Sequence, residues 1–320
     1  MSMFVPWEAR DGWTDVTPIA QAEAPNPLVP INYAPEYISA MATFRWILAQ
    51  YELSKRVLDL TFEIVKMNPA HYTVWAYRSK TLLYLKDSLE DGVQLLIKEL
   101  GILDELVRMH LKNYQVWQHR RIIVTSLSDP SREIPFTTRA LAFDAKNYHT
   151  WAYRQWALSH FYSDPAEHGV VWKEELKFTD NLLDNDVRNN SAWNHRWFVV
   201  FARLEKASES VQNEEVRFAK IRIDLAPNNP SAWNYLRGIL DHFSLSYLPH
   251  LQWAQRLRSP ADCEAEVVLA MEFLADIFSV SNEIAKVEEI YNALAKQADP
   301  MRKGYWNWKK SQICAAASDY

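Results

Sequence analysis

The side chains of this sequence that could take part in chemistry are basic residues at short turns. Lys112, Lys146 and Arg188 each stand immediately before an asparagine. A preorganised cation stabilises the negative charge that develops on a leaving group, and does so more in the transition state than in the ground state. Basic residues between helices are also common as solvated turn residues, and composition alone favours that ordinary role.

The sequence lacks the other common kinds of catalytic machinery. It contains no His, Cys and Asp cluster at metal-ligand spacing, no aspartate-rich DDxxD segment, no nucleophile elbow and no Gly-rich phosphate loop. Its two cysteines, Cys263 and Cys314, are far apart, which excludes a disulfide framework and a self-contained zinc cluster. We therefore predict no metal site in this chain.

The basic turns belong to a unit that occurs five times along the chain. The unit reads HYTVWAYR (71–78), NYQVWQHR (113–120), NYHTWAYR (147–154), NNSAWNHR (189–196) and NPSAWNYLR (229–237). Its tryptophans are separated by 42, 34, 42 and 40 residues. Such a period is typical of a solenoid built from helix pairs.

Each unit has the features of a helix start. Asparagine is a strong N-cap, so we expect the second helix of each hairpin to begin after it, with His71 in that place in the first unit. Tryptophan follows the cap by four residues, and in the first four units arginine follows tryptophan by three, which puts all three on one stripe of the helix; in the fifth unit Leu236 intervenes and the arginine is Arg237. We predict that the tryptophan packs on the neighbouring hairpin and that the arginine binds helix carbonyls or a carboxylate of the next repeat. The residues with this structural role are Trp75, Trp117, Trp151, Trp193, Trp233, Arg78, Arg120, Arg154 and Arg196.

Composition favours an all-α fold. Only 6 of the 320 residues are glycine, fewer than the turns of α/β and all-β folds need. The spacing of apolar residues predicts first helices at roughly 54–67, 89–110, 131–144, 167–185 and 211–225, and a capping hairpin at roughly 262–278 and 281–297 before a last helix. Six of the 15 prolines lie in residues 1–35, which predicts an extended arm over about residues 1–36.

These features together predict one domain from about residue 37 to residue 320. We expect a superhelical solenoid, or crescent, of antiparallel helical hairpins, with five repeats over about residues 54–244 and capping helices after them.

The net charge and the hydropathy of the sequence limit the binding partners and the cellular location that we expect for this chain. With 40 acidic and 35 basic residues the net charge is −5, so nucleic acid is not an expected partner. The sequence has no apolar run of membrane-spanning length and no signal-like N-terminus. We expect a cytoplasmic protein that is neither secreted nor membrane-spanning.

The repeats resemble those of protein prenyltransferase α subunits. The blocks KNYQVWQHRR (112–121), DAKNYHTWAYRQW (144–156) and DVRNNSAWNHR (186–196) look like the α subunit shared by protein farnesyltransferase and type I geranylgeranyltransferase. The resemblance extends to NNPSAWNYLRGIL (228–240) and RKGYWNW (302–308). It implies a crescent of hairpins that wraps around an α-α barrel β subunit.

The same resemblance implies roles for residues at two central turns. Lys112 matches the family's lysine that approaches the isoprenoid diphosphate across the subunit interface, and it would stabilise the leaving group there. The substrate-binding residues that it implies are Tyr114, Gln115, Asn147, Tyr148 and His149. From the residues alone, Tyr114 would be a packing residue, Gln115 a solvated helix residue and His149 a surface residue.

The implied reaction needs a partner. In the family the β subunit supplies the zinc ligands and most of the pocket, magnesium assists departure of the diphosphate, and farnesyl or geranylgeranyl groups are transferred to the cysteine of C-terminal CaaX proteins. This chain is therefore expected to be inactive alone and active as one subunit of a heterodimer.

Two alternatives stay open. The α subunit of Rab geranylgeranyltransferase carries related repeats and would have a different partner. A helical-repeat scaffold of the TPR type, without enzymatic activity, would also fit a period of 34 to 42 residues, although the spacing varies.

Overall fold

The structure, a computed structural model, describes residues 4–23, 25–201, 207–258 and 266–318; the side chains at 165, 166 and 314–318 lie outside this description. Over the described residues the regular structure is helical and no strand occurs, so the predicted all-α class is confirmed. The α-helices are α1 (Pro35–Gln50), α2 (Lys55–Met67), α3 (Tyr72–Ser88), α4 (Gly92–Met109), α5 (Tyr114–Leu127), α6 (Glu133–Phe143), α7 (Tyr148–Phe161), α8 (Pro165–Asn185), α9 (Asn190–Val200), α10 (Glu209–Leu225), α11 (Pro230–His242), α12 (Leu251–Arg258), α13 (Val268–Val280), α14 (Ile284–Ala293) and α15 (Lys303–Ser318).

The chain divides into two compact units, each with its own apolar core. The N-terminal unit contains α1–α7 and ends at Ser163, and the C-terminal unit begins at Asp164 and contains α8–α15. The sequence predicted one domain from residue 37 onward, and the division falls inside it.

Hairpins of consecutive helices build both units. In the N-terminal unit α2 packs on α3, α4 on α5 and α6 on α7; in the C-terminal unit α8 packs on α9 and α10 on α11. We call the members of each pair its first and second helix. The five pairs are the five predicted repeats, and their first helices begin and end within a few residues of the predicted bounds.

Side-chain caps fix where the second helices begin. In four repeats the asparagine side-chain oxygen accepts a hydrogen bond from a backbone N–H two or three residues later, which satisfies a donor that the helix itself leaves free. These caps are Asn113, Asn147, Asn189 and Asn229. His71 caps α3 through Nδ1, which lies 3.4 Å from the backbone nitrogen of Val74.

Each repeat tryptophan holds the turn that precedes its own helix. The indole N–H donates to the backbone carbonyl six residues earlier, at 2.8 or 2.9 Å, and the rings are at most 7% exposed. The pairs are Trp75 with Pro69, Trp117 with Leu111, Trp151 with Ala145, Trp193 with Val187 and Trp233 with Pro227. The buried tryptophan therefore packs inside the hairpin and, through its indole N–H, also fixes the conformation of the turn.

The N-terminal segment is packed over part of its length. A short 3₁₀ turn, Trp7–Ala9, and two buried rings, Trp7 and Trp13, lie against the start of the helical region, and the backbone N–H of Trp7 donates to Ser39 Oγ at 2.9 Å. The sequence predicted an extended arm over residues 1–36. The described residues 17–23 and 25–34 contain no helix, and α1 begins at Pro35.

The C-terminal part contains one helix that the sequence analysis did not identify, α12. The capping hairpin is present as α13 and α14, followed by a π-helical turn at Leu294–Ala298, and the predicted start of its first helix near residue 262 lies outside the described residues. Across the described part of the chain, no helix combines the length and apolar content needed to cross a membrane.

Candidate functional site

The second helices α3, α5 and α7 form the walls of a cleft of about 530 Å³ in the N-terminal unit. The cleft lies along the faces that carry the repeat signatures. Four of the six residues that the resemblance singled out line it, namely Tyr114, Gln115, Tyr148 and His149. The fold therefore brings residues of two successive repeats to one concave surface, as ligand and interface sites commonly require.

Lys112 does not line this cleft; it lies in the turn directly before α5, two residues ahead of Tyr114, which does. The Lys112 side chain is exposed. The turn is held on one side by the indole N–H of Trp117, which donates to the carbonyl of Leu111 at 2.9 Å, and on the other by the Asn113 cap. The backbone that carries the lysine is therefore fixed, while the ammonium group stays accessible.

Three aromatic side chains connect the two central turns. The ring of His149 meets Tyr114 edge to face, with centroids 4.3 Å apart, and Tyr148 in the same manner at 5.5 Å. Burial lowers the pKa of His149, and a hydrogen bond to the backbone of Lys112 opposes that shift in part. His149 therefore favours the neutral form near pH 7 and is tied to the turn that carries Lys112.

Asn147 occupies a different place from the other predicted substrate residues. Its side chain is 2% exposed, and its Oδ1 accepts hydrogen bonds from the backbone N–H of Thr150 at 2.9 Å and from the Thr150 hydroxyl at 3.1 Å. It does not line the cleft. Its observed contacts are those of a helix cap, and its contact with substrate stays a prediction.

Buried ion pairs lie beneath the cleft. Arg78 of α3 pairs with Glu99 of α4 through two hydrogen bonds of 2.7 and 2.5 Å, and His119 of α5 lies 2.8 Å from the same carboxylate. Burial alone would raise the pKa of Glu99, but Arg78 and His119 more than offset this and lower it to about 2. Ser79, which lines the cleft, lies 2.7 Å from the other ring nitrogen of His119.

The same arrangement recurs along the chain. Buried glutamates of the first helices meet the ring two residues after their own repeat's tryptophan, and Glu99, Glu133 and Glu215 also meet the arginine of the preceding repeat. The glutamate and ring pairs are Glu99 with His119, Glu133 with Tyr153, Glu175 with His195 and Glu215 with Tyr235, and the arginine pairs are Arg78 with Glu99, Arg120 with Glu133 and Arg196 with Glu215. Carboxylates thus join one hairpin to the next.

Sequence reasoning missed these glutamates, although a signal for them exists. Each lies 18 residues before the tryptophan of its repeat: Glu99 and Trp117, Glu133 and Trp151, Glu175 and Trp193, Glu215 and Trp233. The separation stays constant while the distance between tryptophans varies from 34 to 42 residues. Several further residues that line the cleft were not predicted from the sequence, among them Tyr72, Gln118 and Arg121.

A metal centre in this chain would need several ligating side chains close together. Within the described ranges, no group of three or more His, Cys, Asp or Glu side chains is arranged so that it could hold a metal ion.

Five hairpins with a capped, tryptophan-anchored second helix define a class of α-α repeat protein. The family model described as "Protein prenyltransferase alpha subunit repeat" matches residues 54–85, 96–127, 130–161, 172–203 and 213–243, which are the five observed hairpins. A protein of Dictyostelium discoideum named protein farnesyltransferase/geranylgeranyltransferase type-1 subunit alpha is 36% identical over 97% of this chain and 95% of its own length. The chain belongs to the family of protein prenyltransferase α subunits.

Two more comparisons place it within that family. A solved structure described as Candida albicans protein geranylgeranyltransferase-I complexed with GGPP matches with a TM-score of 0.83 and 29% identity, over 94% of this chain and 98% of the other. The geranylgeranyl transferase type-2 subunit alpha of Rattus norvegicus is 32% identical, but over only 59% of this chain and 34% of that protein. The full-length similarity is therefore to the type 1 group.

Proposed function

We propose that this chain is the α subunit of a heterodimeric protein farnesyltransferase/geranylgeranyltransferase type I that works in the cytoplasm. The enzyme would transfer a farnesyl or geranylgeranyl group from its diphosphate to the cysteine thiol of C-terminal CaaX proteins. The observation that carries the proposal is the convergence of Tyr114, Gln115, Tyr148 and His149 on one cleft, beside the turn of Lys112. Full-length similarity to type 1 α subunits supports it.

In this reaction a carbon–sulfur bond forms while the bond between the isoprenoid carbon and its diphosphate oxygen breaks. Negative charge grows on the leaving oxygens, and the Lys112 ammonium, on a turn fixed by Trp117 and Asn113, would stabilise it there. Zinc held by the partner and magnesium would supply thiol activation and further neutralisation of the diphosphate.

Gln115 would orient the acceptor peptide. It is the second residue of α5 and lines the cleft, and its side-chain amide can donate a hydrogen bond to a terminal carboxylate. Tyr114 and Tyr148 flank it with largely exposed rings. The two tyrosine rings would line the entrance of the site. The neutral His149, which contacts both rings, would hold the two turns in a fixed relative position.

The test is co-expression with a prenyltransferase β subunit and measurement of isoprenoid transfer to a CaaX peptide. Lys112→Ala should lower kcat by roughly 10- to 1,000-fold and change KM for the peptide little, because the contact is made chiefly in the transition state. Arg188→Ala is the matched control, since Arg188 is an exposed residue at the same place in another repeat. Failure to form a heterodimer, or equal kcat for both variants, would contradict the proposal.

The alternatives differ in measurable ways. The Rab-type α subunit would need an escort protein for transfer, and the short coverage of the type-2 relative speaks against it. A scaffold without activity would show no catalytic defect in Lys112→Ala. Identification of the chain that co-purifies with this protein separates all three.

A further inference from the structure

Acidic side chains are nearly absent from one helical layer of the N-terminal unit. Helices α5 and α7 contain no aspartate or glutamate, and α3 contains only Asp87, next to its last residue. The first helices α2, α4 and α6 carry six acidic residues, Asp59, Glu63, Glu99, Asp104, Glu105 and Glu133. The layer that lines the cleft is therefore positively charged, although the whole chain has a net charge of −5.

Arg121 is the arginine of this layer that lines the cleft. Its guanidinium carbon lies 4.7 Å from the centroid of the Trp156 ring, which holds the group in place. Among the described residues, no carboxylate oxygen lies within 4 Å of it and it makes no hydrogen bond. The adjacent Arg120, in contrast, is bound by Glu133 and Asp104.

A guanidinium without a partner in a concave wall can bind an anion, since its five donors are arranged in a fixed fork. The peptide carboxylate proposed for Gln115 does not fill this place. Arg121 follows Gln115 by six residues, about 9 Å along a helix that rises about 1.5 Å per residue. With the peptide carboxylate assigned to Gln115, the guanidinium of Arg121 is available to bind a second anionic group.

The cleft that Arg121 lines has the character of a protein interface. Tyr72, Tyr114 and Tyr148 are the first residues of α3, α5 and α7, and they are 67 to 74% exposed along the same cleft. Tyrosine and arginine are enriched where proteins associate. A cation without a carboxylate partner on the wall of such a cleft complements an acidic side chain of a partner.

We propose that the cleft face docks an acidic side chain of the β subunit, so that Arg121 and an aspartate or glutamate of the partner form an interfacial ion pair. The inference rests on the proposed function, because that function supplies the partner. It assigns Arg121 to assembly, whereas Lys112 serves the reaction.

The test compares variants of the full chain for their affinity to the co-expressed β subunit. Arg121→Met keeps the length of the stem and removes the charge, and it should weaken the heterodimer by roughly 30- to 5,000-fold, the range seen when one member of a desolvated charge pair is removed. Arg121→Lys should restore part of the affinity. Raising NaCl should weaken the wild-type heterodimer more than the Arg121→Met heterodimer.

Arg139→Met is the matched control, because Arg139 is an exposed arginine on the first helix α6, outside the cleft; it should bind like wild type. Thermal melting of each free chain checks that the fold is intact. A tight wild-type heterodimer with unchanged affinity in Arg121→Met would overturn the inference alone, as would a raised KM for peptide or isoprenoid diphosphate at unchanged affinity. A wild-type chain that forms no heterodimer would overturn the proposed function as well.

Discussion

Individual glutamates connect the hairpins of this protein. Glu99 and Glu133 are 2% and 0% exposed, and each is shared by an arginine of the preceding repeat and a ring of its own repeat. A buried carboxylate is unfavourable unless it is paired and hydrogen-bonded, and here both conditions are met. The ion pairs therefore determine which hairpins pack against each other, in addition to any net contribution to the free energy of unfolding.

This role predicts the effect of Glu99→Gln. The substitution leaves the buried Arg78 without its carboxylate, and the free energy of unfolding should fall by about 3 to 5 kcal/mol, as when one partner of a buried ion pair is removed. Urea denaturation of the purified chain measures this. Glu105→Gln, at an exposed position of the same helix, should stay within about 0.5 kcal/mol of wild type.

The same variant has a pH signature. The folded pKa of Glu99 is about 2 and its ordinary value is 4.5, so the unfolded state binds a proton more readily than the folded state. The stabilisation from its charge is complete above pH 4.5 and is lost as the pH falls toward 2. Unfolding free energies measured below pH 4.5 should fall less steeply for Glu99→Gln than for wild type. Parallel curves would contradict the assignment.

At the scale of helices, the tryptophan that anchors each turn is the feature with the clearest consequence. The Trp117 indole N–H holds the carbonyl of Leu111, the residue before Lys112. Trp117→Phe keeps an aromatic ring but leaves that carbonyl without its donor, which should cost about 1 to 3 kcal/mol of stability. Because the lysine's backbone is released, kcat of the heterodimer should also fall.

Trp233→Phe is the control for this prediction. Its indole makes the equivalent bond to Pro227 in the fifth repeat, far from Lys112 in the sequence. Both variants should lose stability to a similar extent, and only Trp117→Phe should lose turnover. Equal kcat values would contradict a link between this anchor and the catalytic turn.

Helix positions were largely predictable because their signals are local. Asn113 and Asn147 mark helix starts through their own side chains, and apolar spacing gave the first helices to within a few residues. The exceptions depend on tertiary contacts. Trp7 and Trp13 pack a segment that its prolines alone would leave extended, and α12 follows the 3₁₀ turn at Leu248–His250.

The candidate site was less predictable than the helices. Resemblance picked out residues at the two turns, and four of them line the cleft. Arg121 was missed because its importance comes from the stacking of separate hairpins, which no local pattern reports, whereas the glutamates were missed although their constant distance to tryptophan is visible in the sequence. Asn147 is the opposite case. It directly precedes Tyr148, which lines the cleft, but its own side chain is buried as the cap of α7.

For the whole molecule, the proposed division of labour between subunits can be tested directly. The purified chain should show no isoprenoid transfer to a CaaX peptide, because in the proposed enzyme the zinc and most of the pocket belong to the β subunit. Adding that subunit should produce activity, and the β subunit alone is the control. Transfer by the isolated chain at the rate of the heterodimer would contradict this view.

The constant spacing from each buried glutamate to its tryptophan also bears on how the chain tolerates changes in length. The arginine-to-glutamate step between hairpins spans 21, 13 or 19 residues, while the glutamate-to-tryptophan step is always 18. Connections between hairpins, such as residues 128–132 between α5 and α6, are thus where the polypeptide can gain or lose residues, or accept an inserted tag. Inserting one residue between the glutamate and the tryptophan of a hairpin would separate the carboxylate from its ring partner. Both groups would then be buried without that hydrogen bond.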